Sequence, residues 1–262
     1  MTNDFSSREL RVVNKRVHRL GLALNMGLDA DGLSAALERG VNYFFWTRFR
    51  TGKTLPVLKQ ALARDREQYV VATGPTFGFF RGSVRSGCEA ALRTLGTDYL
   101  DVFQLFWLGK TAAWSGGVVE ELVKLKTEGK IRAIGVSIHE RARAGRLAED
   151  SVIDLFMLRY NAAHPGAERD VFPHLGKRQP NVVAYTATSW RKLLRKPGGW
   201  DGAPMTAGDC YRFCLSSPHV DLVLSGPANR RELEENLAAL EKGPLSPEEN
   251  EWMRRFGHVV HG

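Results

Sequence analysis

Arg159 and His139 are the side chains of this sequence best suited to chemistry. Arg159 falls two residues after Met157 in the apolar run VIDLFMLR, so a strand that continues through it puts both side chains on one face. If that face lines a cavity, a guanidinium suits a carboxylate or phosphate on a substrate, because its planar fork meets two acceptor oxygens at once. The same charge would equally serve an ion pair with Glu168 or Glu140. His139 follows the run IRAIGVSI, and an imidazole titrating near neutrality is a candidate proton donor, although a lone loop histidine is more often structural or merely exposed. His164, Tyr160, Trp46 and Trp190 are weaker candidates whose ordinary role is to fill the space around such a site. Cys210 and Cys214 stand at i, i+4 on a helical stretch and are expected to face the interior rather than act as nucleophiles. Together with Cys88 they are too few and too uneven for a disulfide framework, and no histidine pattern completes a metal site.

Positioning these groups falls to eight short apolar runs: LGLAL, VNYFFW, YVVATG, YLDVFQLF, IRAIGVS, VIDLFML, NVVAYT and VDLVLS. Each is rich in Val, Ile, Leu or aromatic residues, as strands buried on both faces should be. Helix-like stretches alternate with them: LSAALERG, LPVLKQALAR, SVRSGCEAALRTLG, VVEELVKLKTEGK, RARAGRLAED, AERDVFPHLG, TAGDCYRFCLSS and RRELEENLAALEKG, several closed by glycine. Eight such units in 262 residues predict an α/β protein of one domain, a (β/α)8 TIM barrel over residues 1–262. An Asn14-Lys15 turn in RVVNKRVHRLGLALN predicts a short N-terminal β-hairpin. Ser246 and Glu249, spaced as a capping box, predict an extra C-terminal helix.

The formal charge of +8 and a pI near 9.6 come from Arg and Lys spread over helix faces, which argues against nucleic acid as partner. No apolar run approaches the roughly 18 residues of a membrane span, and MTNDFSSREL lacks the basic-then-apolar layout of a signal peptide. The expectation is a cytoplasmic protein acting on a small molecule, away from membranes, with its oligomeric state left open.

The stretch LRTLGTDYLDVFQLFW, Leu92 to Trp107, resembles the aldo/keto reductases, whose fourth barrel strand carries a pattern close to SLxRLGTDYLDLYxLHW. Phe106 stands where that pattern has its active-site histidine. The segment GVNYFFWTRFRTG is similar to GxNxFDTAxxYG, with Phe45 for the aspartate and Arg50 for the catalytic tyrosine. YVVATG is similar to VVxTK, with Gly74 for the lysine. Displaced alignment does not restore them: no Tyr lies between Tyr43 and Tyr69, no Asp between Asp31 and Asp65, and no Lys between Lys59 and Lys110. The resemblance thus implies a reductase barrel whose Asp, Tyr, Lys, His tetrad is replaced. Losing Asp and Lys together avoids stranding a buried charge, and exchanging Lys for Gly leaves room for two phenyl rings. Phe45, Gly74 and Phe106 are therefore expected to converge.

The cofactor side of the resemblance is fuller. VVAYTATSW is similar to VxAYSxL, which implies that Tyr185 stacks on a nicotinamide ring. SGPANRRELEENLAAL is similar to GxRxxxQLxEN, a helix start that receives the 2′-phosphate and adenosine of NADP. Gly226, Leu233, Glu235 and Asn236 match, while Ala228 replaces the phosphate-binding arginine and Glu232 the glutamine. GVSIHE keeps Ser137 of GVSNF without its asparagine, and Met157 replaces a carboxamide-binding glutamine. The resemblance implies NADP as cofactor, held by Ser137, Tyr185, Ser225, Gly226, Glu235 and Asn236, with Arg230 or Arg231 replacing the lost charge. Three functions follow: an NADP(H)-binding oxidoreductase with a non-standard site in which His139 or Tyr185 substitutes as donor; a redox-neutral isomerase, lyase or cyclase using Arg159 and His139 on an anionic substrate; or a non-catalytic nucleotide-binding regulator.

Overall fold

The computed structural model describes residues 5–261. Residues 1–4 and 262 lie outside it, and with them the first four residues of the stretch read against a signal peptide and the outer ends of the 1–262 domain. The hairpin comes first, as β1 (Ser7–Leu10) and β2 (Lys15–His18) paired antiparallel. Its turn is longer than expected: a 3-10 turn at Arg11–Val13 is closed by Asn14, whose φ of 53° is left-handed. Asparagine tolerates that conformation better than most residues, which is why the turn signal was legible while the first arm, beginning at Ser7, was not.

The barrel strands are β3 (Leu20–Ala23), β4 (Tyr43–Phe45), β5 (Val70–Thr73), β6 (Leu100–Leu105), β7 (Ile131–Ile138), β8 (Leu155–Arg159), β9 (Asn181–Tyr185) and β10 (Leu222–Ser225). They close in the order β10-β3-β4-β5-β6-β7-β8-β9, every pair parallel. Outside them run α1 (Ala30–Glu38), α2 (Leu55–Arg64), α3 (Arg81–Leu95), α4 (Gly116–Thr127), α5 (Arg141–Glu149), α6 (Ala167–Asp170), α7 (Ala207–Ser216), α8 (Arg230–Leu240) and α9 (Pro247–His261). The predicted TIM barrel, hairpin and terminal helix are all present. The run AERDVFPHLG is the exception: α6 stops at Asp170 and a 3-10 turn follows at Phe172–His174. Pro173 has no N–H to donate, and Val171 leaves helical backbone at φ −131°, so one helix does not cross the run. The capping box at α9 forms as read, with Ser246 N–H donating to Glu249 and Glu249 N–H donating to Ser246 Oγ at 3.1 Å.

Side chains split by the two-residue strand period. Tyr43, Phe45, Val70, Ala72, Val102, Leu155, Met157, Val183, Leu222 and Leu224 fill the barrel lumen. Their neighbours, among them Phe44, Val71, Phe103, Ile134, Phe156 and Val182, pack the helix layer. Leu10, Val13 and Val17 of the hairpin join the lumen cluster and seal its floor. There Lys15, 9% exposed, places its ammonium 2.8 Å from Asp101, which is fully buried and also receives Arg66 and the Val71 N–H at 2.9 Å.

Candidate active site

The lumen-facing register runs out of the barrel's C-terminal end through three adjacent strands. Leu155 and Met157 on β8 lead to Arg159, whose backbone partner on β9 is Tyr185, two residues beyond Val183. On β7, Ser137 pairs with Met157 and Ile138 with Leu158, so His139 emerges beside Arg159. The consequence is a triad of polar groups on one side of the mouth: Tyr185 Oη lies 2.8 Å from His139 Nε2. The His139 ring also packs against Trp107, centroids 5.5 Å apart, which steadies it. Burial pushes the Tyr185 phenol up to about 12, partly offset by the nearby charge of Arg159. Burial first and Arg159 second hold His139 below the usual imidazole range. At neutral pH the phenol is protonated and the imidazole neutral, so the phenol donates to Nε2.

Arg159 itself is half-buried, and among the described residues no hydrogen bond or ion pair holds its guanidinium. The carboxylates offered by the sequence are engaged elsewhere: Glu168 pairs with Arg254 at 2.7 Å and receives the Tyr160 hydroxyl at 2.6 Å, while Glu140 faces Arg146. A half-buried guanidinium without a partner is poised for a ligand oxyanion.

The four replaced positions divide. Phe45 and Phe106 meet edge to face with centroids 5.6 Å apart. Gly74 adjoins them, but it does more than leave room. A Cβ built there would stand 1.9 Å from the Gln104 carbonyl oxygen and 3.1 Å from the Phe106 ring, so β6 backbone has closed onto the strand end. No side chain, and least of all a lysine, fits at 74 without moving backbone. Arg50 stays apart from this cluster, exposed in the loop after β4 with a φ of 59°. The residues at these four positions, two phenyl rings, a glycine and an exposed guanidinium, offer no carboxylic acid, phenol or ammonium.

Beside the polar triad a cavity of about 580 Å³ runs from the mouth between the ends of β3, β9 and β10 to the start of α8. Tyr185, Gly226, Arg231, Glu235 and Asn236 line it, with Phe45, Met157, Met205 and Trp190 supplying apolar walls. Ser137 and Ser225 are buried and lie outside that lining: Ser137 Oγ accepts the Trp107 N–H at 2.7 Å, and Ser225 bridges Tyr211 and Asn236. The α8 start is also self-satisfied. Asn229 caps the Glu232 N–H at 2.9 Å, and the Glu232 carboxylate accepts the Ala228 N–H at 2.9 Å. Arg230 turns outward to Asp31 at 3.4 Å, and Arg231, 81% exposed in its side chain, lies 3.9 Å from Glu235. The cleft therefore fits a dinucleotide in extent and in its apolar platform, whereas its helix end presents a carboxylate where a 2′-phosphate would need a cation.

A barrel of this topology with this mouth defines an aldo/keto reductase-type scaffold. The Aldo/keto reductase family model matches residues 22–196, and the chain belongs to that family. Methylglyoxal reductase YeaE of Escherichia coli is 30% identical over 183 residues, a match covering 65% of this chain and 63% of that protein. The chain thus spans less than two thirds of this curated relative. Aldo-keto reductase AKR11C1 from Bacillus halodurans in its holo form superposes with a TM-score of 0.81 at 22% identity, covering 96% of each chain. An aldo-keto reductase from Klebsiella pneumoniae in complex with NADPH superposes with a TM-score of 0.77 at 24% identity, covering 96% of this chain and 95% of that one.

Sequence reasoning named His139, Tyr185 and Arg159 separately but missed that the first two bond. They lie 46 residues apart, and only barrel register brings them together. It also missed the apolar walls from Met26, Leu194 and Met205. The one available signal is the Thr186–Arg191 loop, rich in polar residues, whose Thr186, Ser189, Trp190 and Arg191 all adopt left-handed φ.

Proposed function

We propose that the whole chain works as one barrel domain, an NADP(H)-binding oxidoreductase of atypical chemistry acting on a small anionic molecule. The observation that carries this reading is the Tyr185–His139 hydrogen bond of 2.8 Å beside Arg159, which has no partner among the described residues, with Tyr185 lining the long cleft. Tyr185, Gly226, Glu235 and Asn236 would hold the dinucleotide, with Arg231 at its far end. When bound, the dinucleotide supplies or accepts the hydride. Arg159 fixes the substrate's carboxylate or phosphate by a forked contact. Tyr185 passes its hydroxyl proton to a substrate carbonyl oxygen while imidazolium His139 returns one from Nε2; oxidation of a hydroxyl runs the same transfers backwards. Because His139 is held neutral at pH 7, the pair accepts a proton more readily than it gives one. Reduction should accordingly speed up as pH falls below the ordinary imidazole value of 6.5, and oxidation should slow.

A redox-neutral reading draws on a different observation: the space once open to a tetrad lysine is closed by the Gln104 carbonyl and Phe106, so only Arg159 and the Tyr185–His139 pair remain for chemistry. Two measurements separate the readings. Fluorescence titration with NADPH should show saturable binding, and turnover of generic aldehydes should be negligible while hydroxy or oxo acids give dinucleotide-linked change. Absent nucleotide binding would leave the redox-neutral enzyme; robust reduction of uncharged aldehydes would refute the assigned site.

A further inference from the structure

A second cavity, of about 350 Å³, lies outside the barrel mouth between α9 and the chain that leaves β8. Its wall holds Arg141, His164, Arg169, Arg254, His258 and His261, and no carboxylate. It is a built feature: a Cβ at Gly257 of α9 would come within 2.3 Å of the Ala162 carbonyl group, so the helix is clamped directly on that backbone. Asp170 and Glu168 stand behind the arginines. Asp170 receives Arg141 Nε at 2.8 Å, leaving the two terminal nitrogens of Arg141 without a hydrogen bond, and it also receives Arg169 Nε at 2.6 Å and Nη2 at 3.1 Å, leaving Nη1 of Arg169. Glu168 holds both terminal nitrogens of Arg254.

His164 gives the cavity a second character. Asn161 is buried, donates through Nδ2 to the Thr186 carbonyl at 2.8 Å, and accepts the Ala163 N–H at Oδ1, which fixes its amide orientation. The contact of 3.2 Å from Asn161 Oδ1 to His164 Nδ1 can then only be donated by the imidazole, so Nδ1 carries the proton. Nε2 is left unprotonated on a ring that lines the cavity, with the His261 ring edge-on at a centroid distance of 4.8 Å. The imidazole stays neutral: burial, then Arg159 on β8, His261 on α9, Lys192 after β9 and Arg141 on α5 push it down to about 4. Arg169 and Arg254 add positive charge nearby, against Asp170 and Glu168.

From the free guanidinium donors and the fixed tautomer of His164 on the wall of one cavity, we infer a binding site for a protonated phosphate, either inorganic phosphate or a phosphomonoester. The donors of Arg141 and Arg169 take the anionic oxygens, and His164 Nε2 accepts the remaining P–OH. A sulfate or carboxylate ion carries no such proton, so its oxygen would face the lone pair unfavourably. Binding leaves every covalent bond intact.

Calorimetric titration near pH 6, about the second ionisation of a phosphomonoester, tests this with inorganic phosphate, glycerol 3-phosphate, sulfate and acetate. Saturable one-to-one binding of phosphate or its ester is expected, with sulfate and acetate weaker by about tenfold or more, the size of one lost charge-assisted bond. The stronger of the first two identifies the source. Arg141→Gln should abolish binding, with Arg169→Ala as a second variant should the first fail to fold. His164→Phe should bring phosphate and sulfate to one level, phosphate losing its acceptor and sulfate losing the opposed lone pair. Equal affinity for sulfate and phosphate, unaltered phosphate binding in His164→Phe, or non-saturable heats would overturn the inference.

Discussion

The two ends of the barrel handle charge in opposite ways. At the floor Lys15, Arg66 and Asp101 form a closed network, and Tyr99 lies between the guanidinia of Arg66 and Arg132, each 3.9 Å from its ring centre. Every charge there has its partner, and the hairpin shuts water out. At the mouth Phe45, Phe106 and Met157 make the wall apolar, and the one lumen-facing cation, Arg159, has no partner among the described residues. A charge that is paired belongs to folding, while a half-buried charge left unpaired costs stability and is suited to recognition.

The largest expected effect tests the floor. Asp101→Ala leaves Lys15 buried without its counter-charge, and chemical denaturation should show a loss of about 3–5 kcal/mol. A loss below about 1 kcal/mol would mean that water reaches the floor and the contrast is false. At the mouth the prediction reverses: Arg159→Ala should leave stability within about 0.5 kcal/mol, yet weaken an anionic ligand by about 1.5–3 kcal/mol. Destabilisation instead would make Arg159 a structural charge like those of the floor.

Smaller effects sharpen the same contrast. Gly74→Ala drives a methyl group into the Gln104 carbonyl and should lower the melting temperature by the equivalent of about 1–3 kcal/mol. An unchanged melting temperature would show that the strand end can open again. At the α8 start, Glu232→Gln removes the carboxylate that caps the Ala228 N–H, and NADPH should gain more affinity than NADH, because only NADPH carries the 2′-phosphate. Equal gains would place the phosphate elsewhere. The smallest effect concerns pH. His164 is held at about 4 in the folded chain against 6.5 ordinarily, so the unfolded state binds the proton first. Stability should therefore fall as pH drops from 6.5 towards about 4, and His164→Gln should flatten the slope over that window.

Much of the architecture was legible because it is local. Apolar runs of strand length, glycine stops such as Gly96 after α3, the Ser246–Glu249 box and the left-handed Asn14 each report on a few neighbouring residues. The meeting of Phe45, Gly74 and Phe106 was legible for the same reason, since each stands at or just past a strand end, whereas Arg50 lies apart in the loop after β4. Where local signals met tertiary demands the reading slipped, as at Pro173, where one expected helix became two short turns.

The sequence by itself determined which groups stand at each strand end and on which side of the strand they point, because side-chain direction follows backbone period alone. Only the tertiary structure decided their partners. It joined Tyr185 to His139, left Arg159 without a counter-ion, closed the Gln104 carbonyl over Gly74 and spent Glu232 on its own helix start. Those outcomes depend on distances across strands and between helix and loop, which barrel closure sets and no single segment contains.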